Sequence, residues 1–108
     1  MTIPRTCVAV AAGLVICGGS ALADEALARH YECHDCHGDA EDAIGPPFAD
    51  IAARYASTPE ARDALITVVK HGGKGNWTEV TGGVPMPPYY ADMSDAEIAQ
   101  VVDWILSR

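Results

Sequence analysis

The residues best equipped for chemistry are gathered in five consecutive positions, Cys33-His34-Asp35-Cys36-His37. Their order is C-x-x-C-H, the attachment pattern of a c-type haem. Thiols about one helical turn apart can each add to one of the two vinyl groups of the macrocycle. The histidine that follows then lies under the ring and can coordinate iron from the proximal side. The same residue types have three other uses. A redox dithiol needs a βαβ context that this chain lacks. A zinc site would have to recruit His34 or His71 beside Cys33, Cys36 and His37. A disulfide between cysteines this close would close a trivial loop. One covalent haem c, held through Cys33 and Cys36 with His37 as iron ligand, is the expectation.

A second axial ligand has to come from elsewhere. Met86 lies in Val84-Pro85-Met86-Pro87-Pro88, where three prolines restrict the backbone and cut the entropy lost in holding a thioether toward a metal. A core-filling role is the ordinary fate of a methionine, but a long loop needs a reason to be ordered and iron supplies one. Met93 fits better as a hydrophobic staple before the last helix. His71 and His30 are the other candidates, ranked behind Met86.

Helices separated by Gly/Pro loops must position these groups. The segment from Asp24 to Cys33 reads as helical, with acids in its first turn and Leu27 and Tyr31 at i, i+4. Gly38 to Pro47 reads as a loop. Phe48 to Tyr55 is a short helix, and Ser57-Thr58-Pro59-Glu60 opens another that stops at Gly72-Gly73. Gly72 to Ala91 reads as one long irregular loop, of a length usually reserved for function. Ser94-Asp95-Ala96-Glu97 is a capping box, after which Ile98, Val101, Val102, Ile105 and Leu106 follow helical spacing. Ile51, Tyr55, Leu65, Val69, Ile98, Val102 and Ile105 are the expected core. No segment alternates with period two, so no appreciable sheet is expected.

The chain is 108 residues long, with 7 basic against 15 acidic residues and a net charge of −8, which argues against nucleic-acid binding. Arg5, the apolar run Val8–Cys17 and Ala21-Leu22-Ala23 have the layout of a secretory signal peptide. The run is shorter than the roughly 20 residues needed to cross a bilayer. Cleavage after Ala23 would remove 23 residues, including Arg5, Cys7 and Cys17, and leave 85 residues with a net charge of −9. The expected organisation is therefore residues 1–23 as signal peptide and 24–108 as one periplasmic domain with no membrane span. A domain so small, with 6% aromatic residues, usually needs a staple. A haem would be the largest apolar object in its core, and the apoprotein is expected to be largely unfolded.

Five motifs in order, Cys33-x-x-Cys36-His37, Gly45-Pro46-Pro47-Phe48 with Asp50–Tyr55, Gly72-Gly73-Lys74-Gly75-Asn76-Trp77, Pro85-Met86-Pro87-Pro88 and Ser94-x-x-Glu97 with Trp104-Ile105-Leu106, resemble the small bacterial class I cytochromes c. The resemblance spans nearly all of residues 24–108. It implies an all-α fold of about four helices around one covalent haem with His37/Met86 ligation. It also implies that the Pro46 carbonyl orients His37 and that Trp77 hydrogen-bonds a haem propionate. Thr78–Gly83 departs from the family pattern as extra residues between Trp77 and the Pro-Met-Pro-Pro run.

The function implied is one-electron transfer rather than catalysis, since two filled axial positions leave no open site. The expected partners are periplasmic or membrane-bound redox proteins, met by a monomer. Contact is expected through the apolar rim Val84, Pro85, Pro87, Pro88 and Tyr89, with the acidic surface excluding wrong partners. The alternatives are a haem c subunit, enzyme or sensor with a labile distal ligand, and a zinc-stabilised binding module.

Overall fold

The computed structural model describes residues 24–38 and 43–108. The signal-peptide expectation falls on residues 1–23 and lies outside them. Among the described residues the secondary structure is helical, with no strand and a single antiparallel bridge, Gly73 to Met86. Residues 24–30 are helical (α1). They are followed by the one-turn α2 (His34–His37), then α3 (Phe48–Arg54), α4 (Ala61–His71), the one-turn α5 (Thr78–Thr81) and α6 (Asp95–Leu106). No helix among the described residues is long and apolar enough to cross a membrane.

The longest helix organises the rest. Ser94 caps α6 with its hydroxyl oxygen, which accepts from Glu97 N, while Glu97 Oε1 accepts from Ser94 N at 3.0 Å. This reciprocal arrangement satisfies amides that the first turn of a helix leaves without partners. Beyond the cap, Ile98, Val101 and Val102 are the most deeply buried large side chains of the core. Helices α4 and α3 pack on α6. The Arg62 fork holds both Asp103 oxygens, at 2.7 and 3.1 Å, across the α4–α6 seam. Tyr31 O–H donates to Glu97 Oε1 at 3.1 Å and ties the end of the first helical segment to the α6 cap. Met93, placed as a staple, is 5% exposed and belongs to the core.

Three boundaries differ from the sequence reading. The helix expected over Asp24–Cys33 breaks early: residues 31–33 turn, Glu32 takes a φ of 61°, and His34–His37 form a separate turn of helix. The break redirects the chain so that the two cysteines do not continue the face of α1. Helix α4 begins at Ala61, after a turn closed by Ala61 N to Thr58 O, instead of at Pro59. The long loop after Gly72 contains α5, which arises in the extra residues after Trp77 and ends at Gly82 in left-handed conformation (φ 66°, ψ 18°). Gly82 N bonds back to Thr78 O. Of the expected core, Ile51, Val69, Ile98, Val102 and Ile105 are buried, and Tyr55 and Leu65 are half-buried against them.

Candidate haem site

The α2 turn places Cys33, Cys36 and His37 around one end of an apolar cavity of about 340 Å³. Cys33 N-caps α2 and its carbonyl accepts from the amides of Cys36 and His37. Both thiols are free and half-buried, and burial pushes the Cys33 thiol above its ordinary pKa.

His37 is fixed on three sides. Its Nδ1 lies 2.8 Å from the Pro46 carbonyl oxygen. A carbonyl only accepts, so Nδ1 carries the proton and Nε2 keeps its lone pair for a metal. Its ring stacks on Phe48 with centroids 5.6 Å apart and planes 22° from parallel. Gly45 N donates to Cys36 O at 2.7 Å and brings the Gly45–Pro46 backbone against the imidazole. A Cβ at Gly45 would sit 2.8 Å from His37 Cε1. Burial lowers the His37 pKa, against the opposing pull of its bond to Pro46, which favours the neutral form that ligates metals.

Met86 lines the same cavity from the proline-rich segment. Its backbone pairs with Gly73 in both directions, Met86 N to Gly73 O at 2.9 Å and Gly73 N to Met86 O at 3.0 Å. Tyr89 N and Tyr90 N donate to Val69 O and Lys70 O, carbonyls in the last turn of α4 that a helix end leaves without partners. Val84 N bonds to Thr81 O, so every N–H from 84 to 90 has an acceptor. The three other positions in that stretch are prolines, which have no N–H to satisfy. The loop is ordered because each of its donors finds a carbonyl, two of them at the end of α4, one on Gly73 and one on Thr81.

Trp77 also lines the cavity and is half-buried. The Arg54 guanidinium lies over its indole, 4.4 Å from the ring centroid, and pairs with Glu79 on α5 at 3.3 Å. Sequence reasoning did not single out Arg54 or Glu79, because neither spacing nor residue type links positions 25 apart. Gly45 and Gly72 stand in the sequence reading as loop, helix-end and motif residues, with no contact to His37 or Met86 assigned to them. His30 and His71, the alternative distal ligands, are exposed and do not line the cavity. No cluster of three His, Cys, Asp or Glu side chains among the described residues could hold a metal ion.

The donor set suits a haem: two thiols, a neutral imidazole and a thioether on one cavity whose remaining walls include Phe48, Ile51, Leu65, Val69 and Val102. Fold and site together define a small helical haem-c protein.

The chain belongs to the cytochrome c family. Residues 20–105 match the family model described as cytochrome C oxidase, cbb3-type, subunit III. It is 42% identical over 89 residues to cytochrome c-552 of Hydrogenobacter thermophilus, covering 82% of this chain and 85% of that one. It is 44% identical over 87 residues to cytochrome c-551 of Allochromatium vinosum, covering 81% and 87% respectively. The crystal structure of Nitrosomonas europaea cytochrome c552 superimposes with a TM-score of 0.65 at 37% identity, over 77% of this chain and 96% of that one. The all-α class I cytochrome c fold follows, as does haem-based electron transfer rather than catalysis. Members of the family carry covalently bound haem c.

Proposed function

We propose that the protein is a periplasmic one-electron carrier. Residues 1–23 serve as its signal peptide, Cys33 and Cys36 hold one haem c, and His37 and Met86 are the axial ligands. The observation that carries this reading is the convergence of a tautomer-fixed His37 and a backbone-pinned Met86 on one apolar cavity that both cysteines also line. When bound, the haem would supply a reversible Fe(II)/Fe(III) couple, and a thioether partner to imidazole, Met86 with His37, would raise its potential. The chain fixes the ligands, excludes water with apolar walls, and leaves Ile44 and Val84 half-exposed where they line the cavity. A partner can approach there.

Replacing Met86 with Ala should abolish the ferric thioether–iron charge-transfer band, lower the potential and admit cyanide or carbon monoxide. Met93→Ala should leave the band intact and cost stability alone, about 2 kcal/mol or more for a buried side chain. The opposite pattern would move the ligand assignment from Met86 to Met93.

A subunit role is the second reading, favoured by the description of the matching family model as an oxidase subunit. Purification under native conditions separates the two. A carrier elutes as a monomer, whereas a subunit co-purifies with a larger oxidoreductase.

A further inference from the structure

Gly72 follows α4 with φ 72° and ψ −167°, a backbone region that side chains avoid, while its N–H donates to Val68 O at 2.7 Å. A Cβ built there would lie 2.5 Å from Met86 O, 2.9 Å from Pro88 N and 3.0 Å from Pro87 C. All three are backbone atoms, so no side chain can swing aside. Ordinary contact for a Cβ begins at 3.4 Å, and a methyl group would therefore drive the Met86–Pro88 backbone outward by several tenths of an ångström.

We infer that Gly72 is a positioning residue for Met86: its missing side chain is what lets the Met86–Pro88 backbone close against the end of α4 and hold the thioether at the iron. The inference rests on the reading of Met86 as an axial ligand. The contact is distinct from the Gly73–Met86 bridge but acts with it. The bridge fixes the register of the loop, and Gly72 fixes its distance from α4. A displaced loop loses both bridge bonds, because Gly73 is joined directly to the residue that pushes.

The test compares the ferric holoproteins of Gly72→Ala, Gly82→Ala and Met86→Ala. Gly82 also has positive φ, at 66°, but a Cβ there meets nothing within 4 Å. It therefore controls for substitution at a positive φ without the contact, its left-handed backbone (ψ 18°) being milder than that of Gly72 (ψ −167°). The expected result is loss of the charge-transfer band and faster cyanide binding in Gly72→Ala and Met86→Ala, with Gly82→Ala like the unmodified protein. A full band in Gly72→Ala, with the band lost in Met86→Ala, would overturn the inference and leave the ligand assignment standing. A full band in Met86→Ala would overturn both. If Gly72→Ala yields no folded holoprotein, amide exchange on the unmodified ferrous protein decides. Met86 N–H and Gly73 N–H should exchange slowly and together, and free exchange at Met86 would contradict a loop held tightly against α4.

Discussion

Glu32 shows what a single residue does to this molecule. It is the only non-glycine residue with positive φ, 61°, among those described, and it stands directly before Cys33. Such a conformation costs an ordinary L-residue about 1–2 kcal/mol, and the turn it makes separates α2 from α1. Its side chain is exposed, so the local penalty is not offset by burial. Glu32→Gly should stabilise the holoprotein by about 1 kcal/mol or less, since glycine removes the strain but enlarges the unfolded ensemble. Glu32→Ala keeps the strain and should not stabilise. Thermal unfolding of the three proteins checks this, and equal gains from Gly and Ala would show that the charge, not the backbone, is responsible. Nothing in the type of residue 32 announces a positive φ, which is why the sequence reads as one helix through Cys33.

At the scale of elements, the pattern in α6 was fully readable and that in α5 was not. The capping box and the apolar spacing of α6 are local signals, written within a dozen residues. Thr-Glu-Val-Thr in α5 has three β-branched residues to one helix former and no apolar period. Its turn depends on Gly82 in left-handed conformation and on Arg54, which reaches Glu79 from α3. Those contacts are tertiary and invisible to a window. The matched hydrogen bonds between α4 and the Met86 loop are hidden for the same reason, although the prolines that permit them stand in plain view. The α6 cap carries a prediction of its own. Hydrogen bonds from the Ser94 amide above all, and from Tyr31 and Ser94 side chains, hold Glu97 below its ordinary pKa. A depressed folded-state pKa means stability that is present above the ordinary carboxylate range and is lost as pH falls through the folded value. Ser94→Ala should cost about 1 kcal/mol at neutral pH. Glu97→Gln should flatten part of the acid limb of a plot of Tm against pH. An unchanged acid limb in Glu97→Gln would remove the cap from the account.

For the whole molecule, the cavity decides how the protein holds together and how it meets others. Ile51, Val69, Val102 and Ile105 are core residues and cavity walls at once, so a haem completes the core. Their helical spacing made them legible as core, but only the folded chain shows that they also face a cleft. The described surface keeps Ile44, Val80, Val84 and Tyr90 substantially exposed on a strongly acidic protein. Exposed charges are screened beyond about 8 Å at physiological salt, whereas apolar contact is not. Electron transfer to the native partner should therefore depend weakly on ionic strength and fall when Val84 or Pro87 is replaced by a charged residue. Stopped-flow rates across a salt series check this. A steep decline with salt and indifference to those substitutions would place docking on the acidic surface instead.

Cys33 and Cys36 are expected to carry one haem covalently on a mature chain that begins at Asp24. Intact mass of the exported protein under denaturing conditions tests it most directly. The expected mass is that of residues 24–108 plus one haem, unchanged by acid extraction into organic solvent. A mass equal to the polypeptide alone, with both thiols open to alkylation, would contradict it.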